Sequence, residues 1–103
     1  MKHDPFDLRR DSEHEAEAKR QAAMSAKLAA EDLRSVMDTP SGRRVMWRLL
    51  EQTSVYRSTF NTNALAMAYA EGGRQVGLAV LQSIIDATPH RFFDMQTENL
   101  THD

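Results

Sequence analysis

From Ala64 to Ala87 the sequence reads ALAMAYAEGGRQVGLAVLQSIIDA, and the spacing inside it decides the fold. Tyr69, Gly73, Val76, Val80 and Ile84 mark one stripe at steps of three and four, with Gly77, Leu81 and Ile85 beside it. An apolar arc this wide, at helical period, describes a helix set in the middle of a core. Gly72 and Gly73 fall inside it at a cost of about 1 kcal/mol each relative to alanine. Close packing at Gly73 and Gly77, four apart on one face, is the expected reason. Upstream, Asn61-Thr62-Asn63 is turn chemistry, with Asn63 as the helix cap. Downstream, Pro89 ends the helix and opens a short one over 89–98, whose Phe92, Phe93 and Met95 form a lid.

Working further back, Thr39-Pro40 restarts a helix. Threonine is a competent cap and proline suits the first helical position. Pro40 also disfavours helical geometry at Thr39, so the chain bends there. The helix expected over 40–53 holds two pairs at i,i+4, Val45 with Leu49 and Met46 with Leu50, on adjoining faces. Trp47, the only tryptophan, widens the apolar arc. Arg43, Arg44, Arg48 and Glu51 cover the other side. The expected core is thus Val45, Trp47, Leu49, Leu50, Phe60, Tyr69, Gly73, Val76, Gly77, Val80, Leu81, Ile84 and Phe92. No segment alternates with period two over a useful length, so no sheet is expected.

The first third differs. Large apolar residues are sparse before Thr39: Phe6, Met24, Leu28, Leu33, Val36 and Met37 are its main ones. Residues 1–11 read as an irregular leader. Ser12-Glu13-His14-Glu15 has the spacing of a capping box, and strong helix formers follow to about Asp38. Glu15 and Lys19 make a favourable i,i+4 pair. Ala22, Ala26, Ala29, Leu33 and Val36 form a seam, narrow and mostly alanine. At roughly 25 cal/mol per Å² of apolar area, such a seam stabilises little by itself. Two readings stay open: a solvated, half-frayed helix, or one completed by a neighbouring chain. The organisation is therefore all-α: a leader (1–11), a long N-terminal helical arm (12–38), a bundle of about three helices (39–98) and a tail (99–103).

Composition removes several functions. Net charge is −2, so no general attraction to nucleic acid is expected. The balance is uneven: −2 over 1–39, +3 over 40–77 and −3 over 78–103. There is no cysteine, hence no disulfide framework or thiolate chemistry. MKHDPFDLRR lacks the apolar stretch of a signal peptide. No apolar run approaches the ~20 residues that span a bilayer, so no membrane anchor is expected. A protein made and kept in a cytosol is therefore the expectation.

No motif carries a reaction. Gly72-Gly73-Arg74-Gln75-Val76-Gly77 is a poor phosphate loop: no strand precedes it and no Lys-Ser/Thr follows. The four histidines, at 3, 14, 90 and 102, have no i,i+3 or i,i+4 pairing, so no zinc helix is present. Met1-Lys2-His3 is at most an adventitious copper or nickel chelate. Ser41, Ser54, Ser58 and Ser83 lack nucleophile-elbow surroundings. The paired acids Glu13/Glu15/Glu17 and Glu31/Asp32 lie on helix surface too polar to raise a carboxylate pKa. Neither an enzyme nor a cofactor is expected. The arginines are the strongest polar feature. Arg44 and Arg48 are one turn apart, with Arg57 and Arg74 as candidates to join them, and arginine suits bidentate contact with carboxylate or phosphate. The charge of +3 over 38 residues is far below a typical nucleic-acid footprint. Docking on acidic protein groups is therefore preferred, with Glu51 and Glu71 among the partners.

Three blocks in order carry a resemblance: Thr39-Pro-Ser-Gly-Arg-Arg-Val-Met-Trp-Arg-Leu-Leu-Glu, then Tyr56-Arg-Ser-Thr-Phe, then Ala70-Glu-Gly-Gly-Arg-Gln-Val-Gly-Leu. Over about residues 33–95 the chain resembles a family of small tailed-phage proteins typified by one from a Bordetella podophage. The family's pattern places arginine directly after Ala-Glu-Gly, where this chain has Gly73. The resemblance implies a part of the virion or packaging module and carries over no active-site residue. The expected function is a non-enzymatic structural protein of a tailed-phage particle, made in the host cytoplasm and resident in the virion. It would form homo-oligomers through Ala22, Ala26, Ala29 and Leu33. It would dock on other virion proteins through Arg43, Arg44 and Arg48, near the portal, the head–tail connection or the ejection apparatus. The weaker reading is a DNA-binding accessory of packaging or regulation.

Overall fold

A computed structural model describes the backbone of residues 5–100 and the side chains of residues 7–100. Four helices follow one another: α1 (Pro5–Met37), α2 (Pro40–Gln52), α3 (Ala64–Ala87) and α4 (Pro89–Leu100). No strand occurs among the described residues. All three prolines stand first in a helix, α1, α2 and α4. There the fixed φ suits the helix, and the missing N–H has no intrahelical acceptor to lose. The expected leader is helical from Pro5 on, and Ser12 lies inside α1 instead of capping it. Nothing between Asp7 and Ser12 breaks a helix, and Asp7 in the first turn favours the positive end of the helix dipole. The Met1-Lys2-His3 chelate, His102 and the last three tail residues lie outside the described residues.

Local chemistry fixes each corner. At the α1–α2 corner, Thr39 is extended (φ −104°, ψ 143°), and its Oγ1 accepts from the Gly42 N–H at 3.0 Å. A Cβ on Gly42 would land on the Val36 carbonyl, 2.7 Å from its carbon. That neighbour is backbone and cannot swing aside, so glycine is required. At the far end of α2 the Val55 N–H reaches the Leu50 carbonyl (3.2 Å) and the Ser54 N–H the Glu51 carbonyl (3.1 Å). These two bonds are a Schellman motif, with Ser54 in the left-handed region at φ 61° and Val55 packed back toward Leu50 in the core. This reversal lays Thr53 and Val55 on Gly77 of α3, where a Cβ would stand 2.5 Å from Val55 Cγ2 and collide with Thr53 Oγ1. Asn63 caps α3 through its Oδ1, which accepts from the Ala66 N–H at 3.1 Å. Thr88 joins α3 to α4: its N–H donates to the Ile84 carbonyl (2.9 Å), and its carbonyl accepts from Phe92 (3.0 Å).

The chain divides into two compact units, one ending at Ala30 and one running from Glu31. In the second, α2, α3 and α4 pack pairwise against one another. Its centre is Met37, Leu50, Ile84 and Met95, all at 0% exposure, with Val55 at 7%. Leu33, Met46, Trp47, Leu78, Val80, Leu81 and Phe92 pack around them. In the first unit every side chain from Asp7 to Ala29 is exposed.

The core therefore departs from expectation. Leu50, Gly77 and Ile84 are buried, and Trp47, Val80, Leu81 and Phe92 lie partly buried against the centre. Val45, Leu49, Phe60, Tyr69 and Val76 are exposed, Phe60 at 79% and Tyr69 at 87%. Gly73 has open space where its Cβ would be. In α3 the cause is an apolar character on almost every side. The close approach at Gly77 sets the packed face, and it turns Tyr69 and Val76 away. In α2 the two i,i+4 pairs compete for the core. Met46 and Leu50 win because Arg43, on their side, finds partners for its charge within the fold. Leu33, expected at a subunit contact, packs on this chain's own core. The lid of α4 likewise splits: Met95 is buried and Phe93 is 66% exposed.

Candidate interaction surfaces

The arginines of the motif separate into two sets. Arg43 is buried at 6% exposure. Its Nε donates to Glu98 Oε1 (2.9 Å) and Oε2 (3.1 Å), and its NH2 lies 2.9 Å from Oε1. Its NH1 donates to the Met37 carbonyl at 2.8 Å. The guanidinium fork thus clamps α4 to the last residue of α1, a geometry that lysine does not offer. Arg43 was expected on a docking surface and is instead an internal tie. Two further arginines act alike. Arg34 Nε donates to the Ala87 carbonyl at the end of α3 (2.9 Å), and Arg57 NH2 to the Glu51 carbonyl near the end of α2 (3.0 Å). Carbonyls in the last turn of a helix have no intrahelical donor, and a cation there also favours the dipole. So α1, α2 and α3 each end on an arginine from elsewhere in the chain. Arg91 adds Asp38 (3.1 Å) and Asp94 (3.2 Å). Its hydrogen bonds to Asp38 first, and then to Asp94, hold the guanidinium pKa above its ordinary value.

The second set faces outward. Arg44 and Arg48 are exposed and have no ion pair among the described residues. They border Val45 and Leu49, exposed at 51% and 38%, which gives α2 an outward face of two cations beside two aliphatics. Arg57 and Arg74 do not join them: Arg74 pairs with Glu71 at 3.2 Å, and Glu71 also accepts from Thr59 Oγ1 at 2.8 Å. Trp47 stacks on Tyr56 with ring centroids 5.1 Å apart and planes 25° apart. Partial burial pushes the Tyr56 phenol pKa up, against a smaller lowering by a hydrogen bond with Gln96.

On the N-terminal helix, Ala22, Ala26 and Ala29 lie exposed, with Leu8, Met24 and Leu28 above 50% exposure. Glu17 and Arg20 form an ion pair there at 2.7 Å. An exposed pair at this spacing contributes a few tenths of a kcal/mol. On α3, an open groove of about 690 Å³ runs beside Tyr69, Gly72, Gly73 and Val76, with Gln52, Thr53 and Ser54 on its far side. Among the described residues no three of His, Cys, Asp and Glu cluster to hold a metal, and no helix is long and apolar enough to cross a membrane.

Closed by arginine ties, the second unit is a small all-α bundle whose uncharged and basic faces are exposed. The chain belongs to the family of Bbp19-like phage proteins, whose family model matches residues 33–97. No match is found among curated proteins or among solved structures. The matched span lies inside the second compact unit, so the exposed part of α1 stands outside it. Sequence reasoning missed Arg43 as an internal tie and Gly42 as a corner. The signal for Arg43 was its place at i−3, i−4 and i−7 to Met46, Trp47 and Leu50.

Proposed function

We propose that this phage protein is a non-enzymatic structural component of the particle. It assembles in several copies through its N-terminal helix and docks on other virion proteins through the Arg44–Arg48 face of α2. A position at the portal, the head–tail connection or the ejection apparatus suits a small part repeated by symmetry. One observation carries the reading: from Asp7 to Ala29 the helix has no buried side chain. A helix this polar gains little from propensity alone, and a neighbour laid along Ala22, Ala26 and Ala29 supplies the missing contact. Removing residues 1–30 should leave the helical circular dichroism of the core and lower the oligomer mass in light scattering. Unfolding of the truncated chain, or an unchanged mass, refutes the reading.

The exposed, unpaired Arg44 and Arg48 also favour a second reading, contact with DNA during packaging. Binding through six or more phosphates has a steep salt dependence. DNA affinity that falls about a thousandfold or more between about 50 and 200 mM salt, and is lost with Arg44→Ala/Arg48→Ala, selects that reading over protein docking.

A further inference from the structure

A second uncovered face runs along α3. Leu65, Tyr69, Gly72, Val76, Ala79 and Ser83 succeed one another at alternating steps of four and three, and all six are exposed. These steps are the seven-residue repeat by which one helix lies along another. From Leu65 to Ser83 the seam is about 27 Å long at 1.5 Å per residue. It carries no charge, and neither do the rows that flank it: Ala66, Gly73 and Val80 on one side, Ala68, Gln75 and Gln82 on the other. Glu71 and Arg74 fall outside all three rows, bound to each other.

We propose that a second copy of this chain covers this face, with the two α3 helices antiparallel about a two-fold axis. The order of side-chain sizes points to that occupant. Reversed on itself, the seam sets Leu65 opposite Ser83, Tyr69 opposite Ala79 and Val76 opposite Gly72. Every large residue meets a small one, as interdigitated packing requires. A parallel pair would stack Tyr69 on Tyr69 and leave Gly72 facing Gly72, a crowd beside a void. Near the axis, Gly73 meets its own copy and lets the backbones approach. Gln75 also meets its copy, and an amide both donates and accepts. No like charges are brought together. The pairing also gives the two helix-weakening glycines a reason, since beyond their own stretch of helix no described atom lies within 4 Å of either would-be Cβ. They floor the groove of about 690 Å³ that receives Val76 of the second copy. Tyr69 alone contributes about 150 Å² per copy, toward the roughly 500 Å² per partner that a specific interface must exceed. This contact is separate from assembly through the N-terminal helix and does not rest on it.

The chain has no cysteine, so placed thiols report cleanly. Full-length Tyr69→Cys and Ala79→Cys chains, mixed and mildly oxidised, should give a mixed disulfide dimer at least tenfold above either chain alone. No mixed dimer, or Tyr69→Cys linking to itself as readily, overturns the pairing. Val76 is 62% exposed, so Val76→Glu should keep the helical circular dichroism while the dimer dissociation constant in sedimentation equilibrium rises at least tenfold. An unchanged constant also overturns it. Ala26→Glu separates the two contacts. If it abolishes the mixed disulfide, the α3 helices meet only because α1 assembles the copies: the separate pairing fails and assembly through α1 stands. If the disulfide persists, the α3 pairing stands whatever Ala26→Glu does to the larger assembly.

Discussion

From Asp7 to Ala29 every side chain is exposed, whereas between Met37 and Met95 four side chains reach 0% exposure. Both regions are built from good helix formers, so propensity does not separate them. Burial and ties do. The second unit has a closed centre, and arginines from elsewhere in the chain finish the ends of α1, α2 and α3. The first has alanines, single exposed aliphatics and a surface ion pair. A helix can thus be regular along its whole length while its energetic support changes completely at about Ala30.

The widest contrast is set by apolar truncation. Leu50→Ala should cost about 2–5 kcal/mol, because the buried site is left with a cavity. At this chain length each kcal/mol lowers Tm by about 4–8 °C, read by the fluorescence of the single Trp47. Next comes the pair of arginines. Arg43→Ala should cost about 2–4 kcal/mol in urea unfolding, somewhat less than a fully buried ion pair because Glu98 keeps 38% of its side chain in water. Arg44→Ala should stay within about 0.5 kcal/mol; equal losses would erase the division between inward and outward arginines. Thr88 is 1% exposed, and its Oγ1 is buried without a hydrogen-bond partner among the described residues. Thr88→Val keeps the shape and removes the unsatisfied group, so it should stabilise by about 1 kcal/mol.

Tyr56 sharpens the comparison through pH. Its pKa is raised in the folded chain, so the folded state holds the phenolic proton more tightly. The stability this contributes is fully present below pH about 10 and is lost as pH rises through the folded value. Tyr56→Phe should flatten that alkaline loss in a Tm-against-pH series. The smallest effect belongs to the first unit: Leu28→Ala should shift the melting of the core by less than about 0.5 kcal/mol.

Much of the fold was legible because its punctuation is local. Thr39-Pro40, Asn63 and Thr88-Pro89 each act within a few residues, and the helices end or restart there. The start of α1 was misread because two sound signals compete, Pro5 and the Ser12–Glu15 spacing, and nothing between them forces a break. The facing of α2 and α3 was less legible. Apolar period shows that a helix packs, but α3 is apolar nearly all round and α2 offers two equivalent pairs. The deciding facts are non-local: the seat of Thr53 and Val55 on Gly77, and the partner that Glu98, 55 residues away, provides for Arg43. A buried arginine can be read only once its counter-ion is placed. The outward faces, by contrast, became visible only after the core had taken its share of the apolar residues.

Hydrogen exchange of the full chain across a dilution series tests the dependence of the N-terminal helix on other molecules most directly. Amides of residues 12–30 should lose protection as the chain is diluted, while those of the helices from Glu31 onward keep theirs. Protection over 12–30 that is undiminished in a sample of single chains, at the monomer mass of 11.7 kDa, would contradict it.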